Sequence, residues 1–236
     1  MKKLFALIIS SMLIFGASCS EKSTDSSSES APKTDSASSS SIAPIDYDSL
    51  EVVRWESDRI TYDNIDELDR YGDIAVIGTF TDNSTTVSDF DKINGFEQEV
   101  LTNIYSYNTI KVEKVLKGDV NVGDEITAIQ DCGIHDGKLV TFSDMEPMKK
   151  GDQWIFFLSY DSTYEGYWCM GDYNGRFPVP KTQTATLSRT VTADSKAQLE
   201  GEIEKMTNED FGVYDDVSPM RELYYDVITH YDCTLQ

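Results

Sequence analysis

Three kinds of side chain in this sequence have the chemistry to do more than fold: thiols, imidazoles and paired carboxylates. Cys132-Gly133-Ile134-His135 places a thiol and an imidazole three positions apart, half of the donor set of a tetrahedral zinc site. The other half is missing nearby, because His135 and His230 are the only histidines and no CxxC pair exists. The segment therefore reads as a structural loop, and no metal is assigned. Asp144 with Glu146, and Asp161 with Glu165, are spaced to divide acid and base roles in hydrolysis. In a chain with 42 acidic residues such pairs arise by chance, so they read as solvated surface. Asp82-Asn83-Ser84 to Asp89-Phe90-Asp91 offers oxygens to calcium, but without the Asp/Gly/Glu spacing of an EF-hand. No G-x-S-x-G elbow, P-loop or H-E-x-x-H motif is present. No catalytic residue and no cofactor are expected, and a carboxylate- or metal-dependent extracellular hydrolase is the alternative reading.

The fourth cysteine stands in a different context. Lys2 and Lys3 form a short positive region, an apolar run extends from Leu4 to Phe15 with only Ser10 and Ser11 interrupting, and Gly16, Ala17 and Ser18 lead to Cys19. That is the three-part layout of a secretory leader, and the run is too short to cross about 30 Å of hydrocarbon. A cysteine directly after the small residues adds a thiol able to receive a diacylglyceryl group. Gly16-Ala17-Ser18-Cys19 resembles the bacterial lipobox, with Gly16 where that pattern usually has Leu. The resemblance implies cleavage after residue 18, lipidation of Cys19 and a lipid-anchored position on the extracytoplasmic face of a cell membrane. Ser20 to Ser41 then holds 11 serines in 22 positions and no large apolar residue. Such a stretch cannot bury enough apolar surface to offset its ordering entropy, so residues 19–44 read as a disordered tether. As a flexible coil its root-mean-square span is about 25–30 Å, enough to hold a domain clear of headgroups.

Outside the cytosol, Cys132, Cys169 and Cys233 are able to form at most one intramolecular bridge, with Cys132 and Cys169 the candidate pair. Charge narrows the partners further. Net charge is −22, and loss of Lys2 and Lys3 with the leader makes it −24. A polyanion of this size repels phosphate backbones and anionic headgroups, which excludes nucleic acid and electrostatic docking on lipid.

The elements that would carry these residues lie in 45–236, a single globular domain. Asp63-Asn64 before Ile65, Leu68 and Tyr71 reads as a short capped helix ending near Gly72. Asp73 to Phe80 reads as a buried strand, followed by a polar loop from Thr81 to about Asn94. Glu99 to Val115, Glu125 to Gln130, Gln153 to Leu158, Tyr167 to Met170 and a piece near Phe177 complete the strands, with turns at Lys117-Gly118-Asp119, Val122-Gly123-Asp124 and Lys150-Gly151-Asp152. Two helices follow within 194–232. Asp194 caps one through Ala197, Leu199, Ile203 and Met206. Ser218-Pro219 opens the other, with Met220, Leu223, Tyr224, Val227, Ile228 and Tyr231 on one face. The expected architecture is mainly β with flanking helices (α+β), a small OB-like β-barrel over about 73–180.

The order Asp73-Ile74-Ala75-Val76-Ile77-Gly78, Ile110-Lys111-Val112-Glu113-Lys114-Val115-Leu116-Lys117-Gly118, Gly123-Asp124-Glu125-Ile126 and Lys150-Gly151-Asp152-Gln153-Trp154-Ile155-Phe156-Phe157-Leu158 resembles the OB-fold of tissue inhibitors of metalloproteinases and netrin modules. The likeness covers Asp73 to about Phe177 and concerns core strands and a Lys-Gly turn, so it implies fold. The inhibitors' mechanism needs a free amino-terminal cysteine on the protease zinc, whereas Cys19 is expected to be acylated and far from the barrel. Shared fold is not shared function. The functional expectation is a tethered binding module for an extracellular protein, peptide or glycan. Tyr160, Tyr164, Tyr167, Trp168 and Tyr173 are the contact candidates, since aromatics bring large area at low entropy cost.

Overall fold

The computed structural model describes residues 46–55, 60–92, 99–142, 145–171, 175–181, 184, 192–214 and 216–235. The leader, Cys19, the serine-rich segment, Asp144 and Tyr173 lie outside the described residues. Nine strands and four helices are described: β1 Val52–Arg54, α1 Ile65–Tyr71, β2 Ile74–Asp91, β3 Val100–Lys117, β4 Glu125–Gln130, β5 Cys132–His135, β6 Lys138–Thr141, β7 Gln153–Asp161, β8 Gly166–Cys169, β9 Arg176–Pro178, α2 Ala193–Ile203, α3 Asn208–Phe211 and α4 Ser218–His230.

Five strands close a barrel in the order β2-β3-β4-β8-β7, with β7 pairing back onto β2. Four of the five pairings are antiparallel, and β4–β8 is parallel. This is the OB arrangement, a small five-stranded barrel. β9 extends the sheet beyond β7, and β1-β6-β5 forms a separate three-stranded sheet.

The apolar runs in β2 and β7 have a direct cause. Ile74, Val76, Phe156 and Leu158 point into the barrel and join Phe80, Ile110, Val112, Ile126 and Ala128. Ala75, Ile77, Ile155 and Phe157 point outward into a second core, covered by the helices. A strand buried on both faces loses the polar alternation of a half-exposed one. At Gly78 the interior leaves no room for a side chain: a Cβ there would lie 2.3 Å from Ile110 Cγ2. The expected apolar stripe of the last helix is the other wall of the outer core. Met220, Leu223, Tyr224, Val227 and Ile228 are each buried there, with Tyr224 stacked on Phe177 at 6.3 Å.

Helix boundaries follow local signals. Asn64 caps α1, its Oδ1 accepting from Glu67 N at 3.0 Å, and Gly72 ends it. Lys117 of the Lys-Gly turn donates to Gly72 O at 2.9 Å and to Asp69 O, so that turn fastens the end of β3 to the carbonyls at the end of α1. Thr192, rather than Asp194, caps α2, in a reciprocal box with Ser195. Asp194 lies in the first turn instead, where its charge suits the helix dipole. Pro219 is the second helical residue of α4.

Several expectations are corrected. Thr81–Asp91 is strand, not loop: β2 runs on past Phe80 and pairs with β3 through Ser84↔Asn108 to Asp91↔Val100. The calcium candidates Asp89 and Asp91 therefore lie along a ladder, where Asp89 Oδ2 accepts from Asn103 Nδ2 at 3.4 Å. The supposed loop at Cys132–His135 is strand β5, joined to β6 by a turn with Asp136 and Gly137 at positive φ. Strand positions three apart face opposite sides, so Cys132 and His135 do not converge on one ion.

Candidate ligand-binding face

The face is built on β3. Its residues alternate, with Ile110 and Val112 in the barrel core and Tyr105, Tyr107 and Thr109 on the outside. Register then carries the row across the sheet. Tyr107 pairs with Thr85 of β2 and with Ile129 of β4, and Ile129 pairs with Trp168 of β8. Four strands thus align Thr85, Tyr107, Ile129 and Trp168. Val87 and Tyr105 form the row above, and Thr109 with Thr127 the row below.

Tyr164 closes over this surface from the β7–β8 turn. That turn is set by Thr163 N donating to Asp161 Oδ1 at 2.7 Å and by Glu165 at φ 51°. The Tyr105 ring lies 5.6 Å from Tyr107, 5.3 Å from Tyr164 and 5.9 Å from Trp168, and Tyr164 lies 5.3 Å from Trp168. Three of these four contacts are edge-to-face, the arrangement the ring quadrupole favours. Tyr105 is only 7% exposed, while Tyr107, Tyr164 and Trp168 are half-buried. One ring is therefore the buried centre, and three hold outer surface toward solvent. Burial first, then the neighbouring Tyr107 and Asp89, push the Tyr105 phenol up to about 12. It stays protonated, a fixed polar anchor under the cluster.

Of the sequence candidates, the structure unites Tyr164 and Trp168 and separates Tyr167 and Tyr160. Tyr167 pairs with Ala128 and packs against the barrel interior, since adjacent strand residues face opposite sides. Its partner is Tyr160, 5.1 Å away and half exposed, whose N–H donates to Asp73 Oδ2 at 2.7 Å. Tyr105 and Tyr107 were overlooked as members of the cluster, and the fully buried Ile129 of β4 only links their strand to residue 168. Their signal was present in the alternation of β3, but pairing partners were needed to connect it to residue 168.

The remaining chemical candidates stay apart. Cys132, Cys169 and Cys233 are free thiols. Cys132 and Cys169 border one cavity of about 20 Å3 with Gln130 and Trp168. Burial pushes the Cys132 thiol up to about 11 and the Cys169 thiol to about 12, outweighing the nearby positive charge of Arg176. Arg176 itself is 1% exposed, with its guanidinium 4.6 Å from the Trp154 ring and Nη2 donating to Gly212 O at 2.9 Å. His135 rests 5.5 Å from the Phe90 ring, and His230 lies 3.4 Å from Asp69. Asp161 is spent on the turn that positions Tyr164. Among the described residues, no three His, Cys, Asp or Glu side chains gather as a metal site.

Comparison with known proteins finds no family and no curated sequence that matches this chain.

Proposed function

We propose that this protein is an exported lipoprotein, held by lipid on Cys19, whose barrel captures an extended ligand without transforming it. The carrying observation is the cluster of Tyr105 and Tyr107 on β3, Trp168 on β8 and Tyr164 in the β7–β8 turn. OB barrels bind ligands on the face of their second and third strands, flanked by the loops after the first and fourth. Here the second and third barrel strands are β3 and β4, and the turn after the fourth carries Tyr164. Large half-buried aromatics over a buried base supply contact area at low entropy cost.

The anchor half of the proposal rests on Lys2-Lys3, the apolar run, Gly16-Ala17-Ser18-Cys19 and the serine-rich segment. A Cys19 lipidated on its thiol is held at the membrane and is not free to seat on a protease zinc as inhibitor-type capture requires, so that activity is not part of the proposal.

Two substitutions test the halves separately. Cys19→Ala is expected to release the protein from membranes into the soluble fraction and to abolish incorporation of labelled fatty acid. Continued membrane retention with no loss of label would refute the anchor. Tyr107→Ala with Trp168→Ala, placed in the otherwise full-length Cys19→Ala chain that lacks the anchor, is expected to leave the fold intact while ending sedimentation with membrane-free cell-wall material. Undiminished sedimentation would remove the face from the proposal.

A further inference from the structure

We infer that the ligand of this face is a neutral oligosaccharide. This rests on the capture reading above and deepens it.

Three features of the face choose the ligand class. The first is charge. The central rows hold Thr85, Val87, Tyr105, Tyr107, Thr109, Thr127, Ile129 and Trp168, with no cation among them. The first cation along β3, Lys111, stands two rows beyond Tyr107, opposite Glu125 and 3.5 Å from Glu113. The carboxylate of Asp89 bears on the Tyr105 phenol, so the charge that acts on the cluster is negative. With a net charge of −22 behind it, this surface repels phosphorylated, sulfated and carboxylated polymers.

The second feature is chemical mixture. Ring surfaces at Tyr107, Tyr164 and Trp168 lie next to hydroxyls at Thr85, Thr109 and Thr127 and to the phenol oxygens themselves. A pyranose ring presents the matching pair, an apolar C–H face that packs on an aromatic ring and hydroxyls around its rim that exchange hydrogen bonds. Tyrosine and tryptophan suit such a surface because one end is apolar and the other polar.

The third feature disfavours a peptide. The common route for an extended peptide is to add a strand to an open sheet edge, where main-chain hydrogen bonds provide affinity. Here β3 lies between β2 and β4, β4 between β3 and β8, and β8 between β4 and β7. A closed barrel has no edge to offer at this face. A peptide lying flat on it would gain no ladder of main-chain hydrogen bonds, the source of affinity in strand addition.

The experiment is titration calorimetry with the full chain in detergent micelles. The neutral probes are cellohexaose, chitohexaose, xylohexaose and maltohexaose, and the comparators are a heparin hexasaccharide, oligothymidylate and an unstructured decapeptide. At least one neutral hexasaccharide is expected to bind, with affinity unchanged between low and physiological salt. Tyr107→Ala and Trp168→Ala are each expected to weaken it at least about tenfold while the thermal unfolding midpoint falls by only about 2–4 °C, well short of unfolding the domain at assay temperature. Tyr107→Phe, which keeps the ring, should retain most of the affinity. Binding only of the decapeptide or a charged polymer, lost in Trp168→Ala, would overturn the sugar assignment and keep the face. Sugar binding untouched by both alanine variants would refute the face and the assignment together. Absence of binding by every neutral probe at millimolar concentration overturns the sugar assignment, while the sedimentation test still decides the face.

Discussion

Tyr105 and Trp168 belong to one cluster but differ in what they support. Tyr105 is the buried member, in contact with three other rings, so Tyr105→Ala removes packing that the barrel wall needs. It is expected to cost about 2–4 kcal/mol, read from a urea titration. Trp168→Ala opens a half-exposed site and should cost only about 1 kcal/mol. The thiols give a second residue-scale prediction. Cys132 and Cys169 keep their protons to about 11 and about 12 when folded, against an ordinary value near 9. Above pH 9 the unfolded chain releases those protons and the folded chain does not, so the folded state binds more protons and stability falls as pH rises. The stability is fully present below pH 9 and is lost toward pH 11–12, at up to about 1.4 kcal/mol per pH unit for each thiol. Urea midpoints at pH 8 and pH 10 check this, and Cys132→Ser with Cys169→Ser should shrink the difference, leaving the part due to the similarly buried Cys233 and tyrosines.

At the scale of elements, the outer apolar core holds the helices on the barrel, and polar contacts between the two meet at Gly212. It ends α3 in the left-handed region at φ 60°, and its carbonyl accepts both from Glu146 N at 2.8 Å and from Arg176 of β9. A Cβ at this position would sit 2.9 Å from Arg176 Nη2 and 3.1 Å from Trp154 Cη2. Gly212→Ala therefore combines backbone strain with displacement of a buried cation–ring stack, and about 2–3 kcal/mol of lost stability is expected in thermal or urea unfolding. Gly123→Ala is the comparison, with φ 93° but open space around the added methyl. Its smaller loss would isolate the strain, and an equal loss would refute the packing argument. The long β2–β3 ribbon shows the opposite economy. Past Phe80 it carries Ser, Thr and Asp with few apolar residues, and pairing with β3, together with Thr86 Oγ1 accepting from Ile134 N of β5 at 3.3 Å, keeps it a strand.

Across the whole molecule, two cores share the walls β2 and β7. The barrel interior and the helix-covered outer core contact opposite faces of the same strands, so neither is expected to unfold alone. Charge acts on the same scale. With 42 acidic against 20 basic residues, self-repulsion opposes the compact state and is screened over about 8–10 Å in moderate salt. Raising sodium chloride from low to physiological concentration is expected to raise the thermal midpoint by a few degrees, as followed by circular dichroism. An unchanged or lower midpoint would show that surface ion pairs such as Lys138–Glu51, at 2.9 Å, outweigh the repulsion.

Local chemistry was legible in the sequence wherever neighbours along the chain suffice. The caps at Asn64 and Gly72, the turn at Lys117-Gly118, the two-sided burial of β2 and β7 and the apolar stripe of α4 all depend on spacing within a few residues, and the sequence marks them. The number and spacing of the strands announced a small β-barrel for the same reason, and the resemblance to OB-folds gave its type. Other strands were hidden: β5 and β6 have only four residues each and the outer half of β2 lacks an apolar run, so only their partners reveal them. The face itself belongs to tertiary structure. Tyr105 and Tyr107 meet Trp168 because β4 pairs with β3 on one side and with β8 on the other. The same pairing turns Tyr167, one residue away, into the barrel. Side-chain direction in a strand is fixed by parity, but which distant strand shares that face is fixed only when the barrel closes.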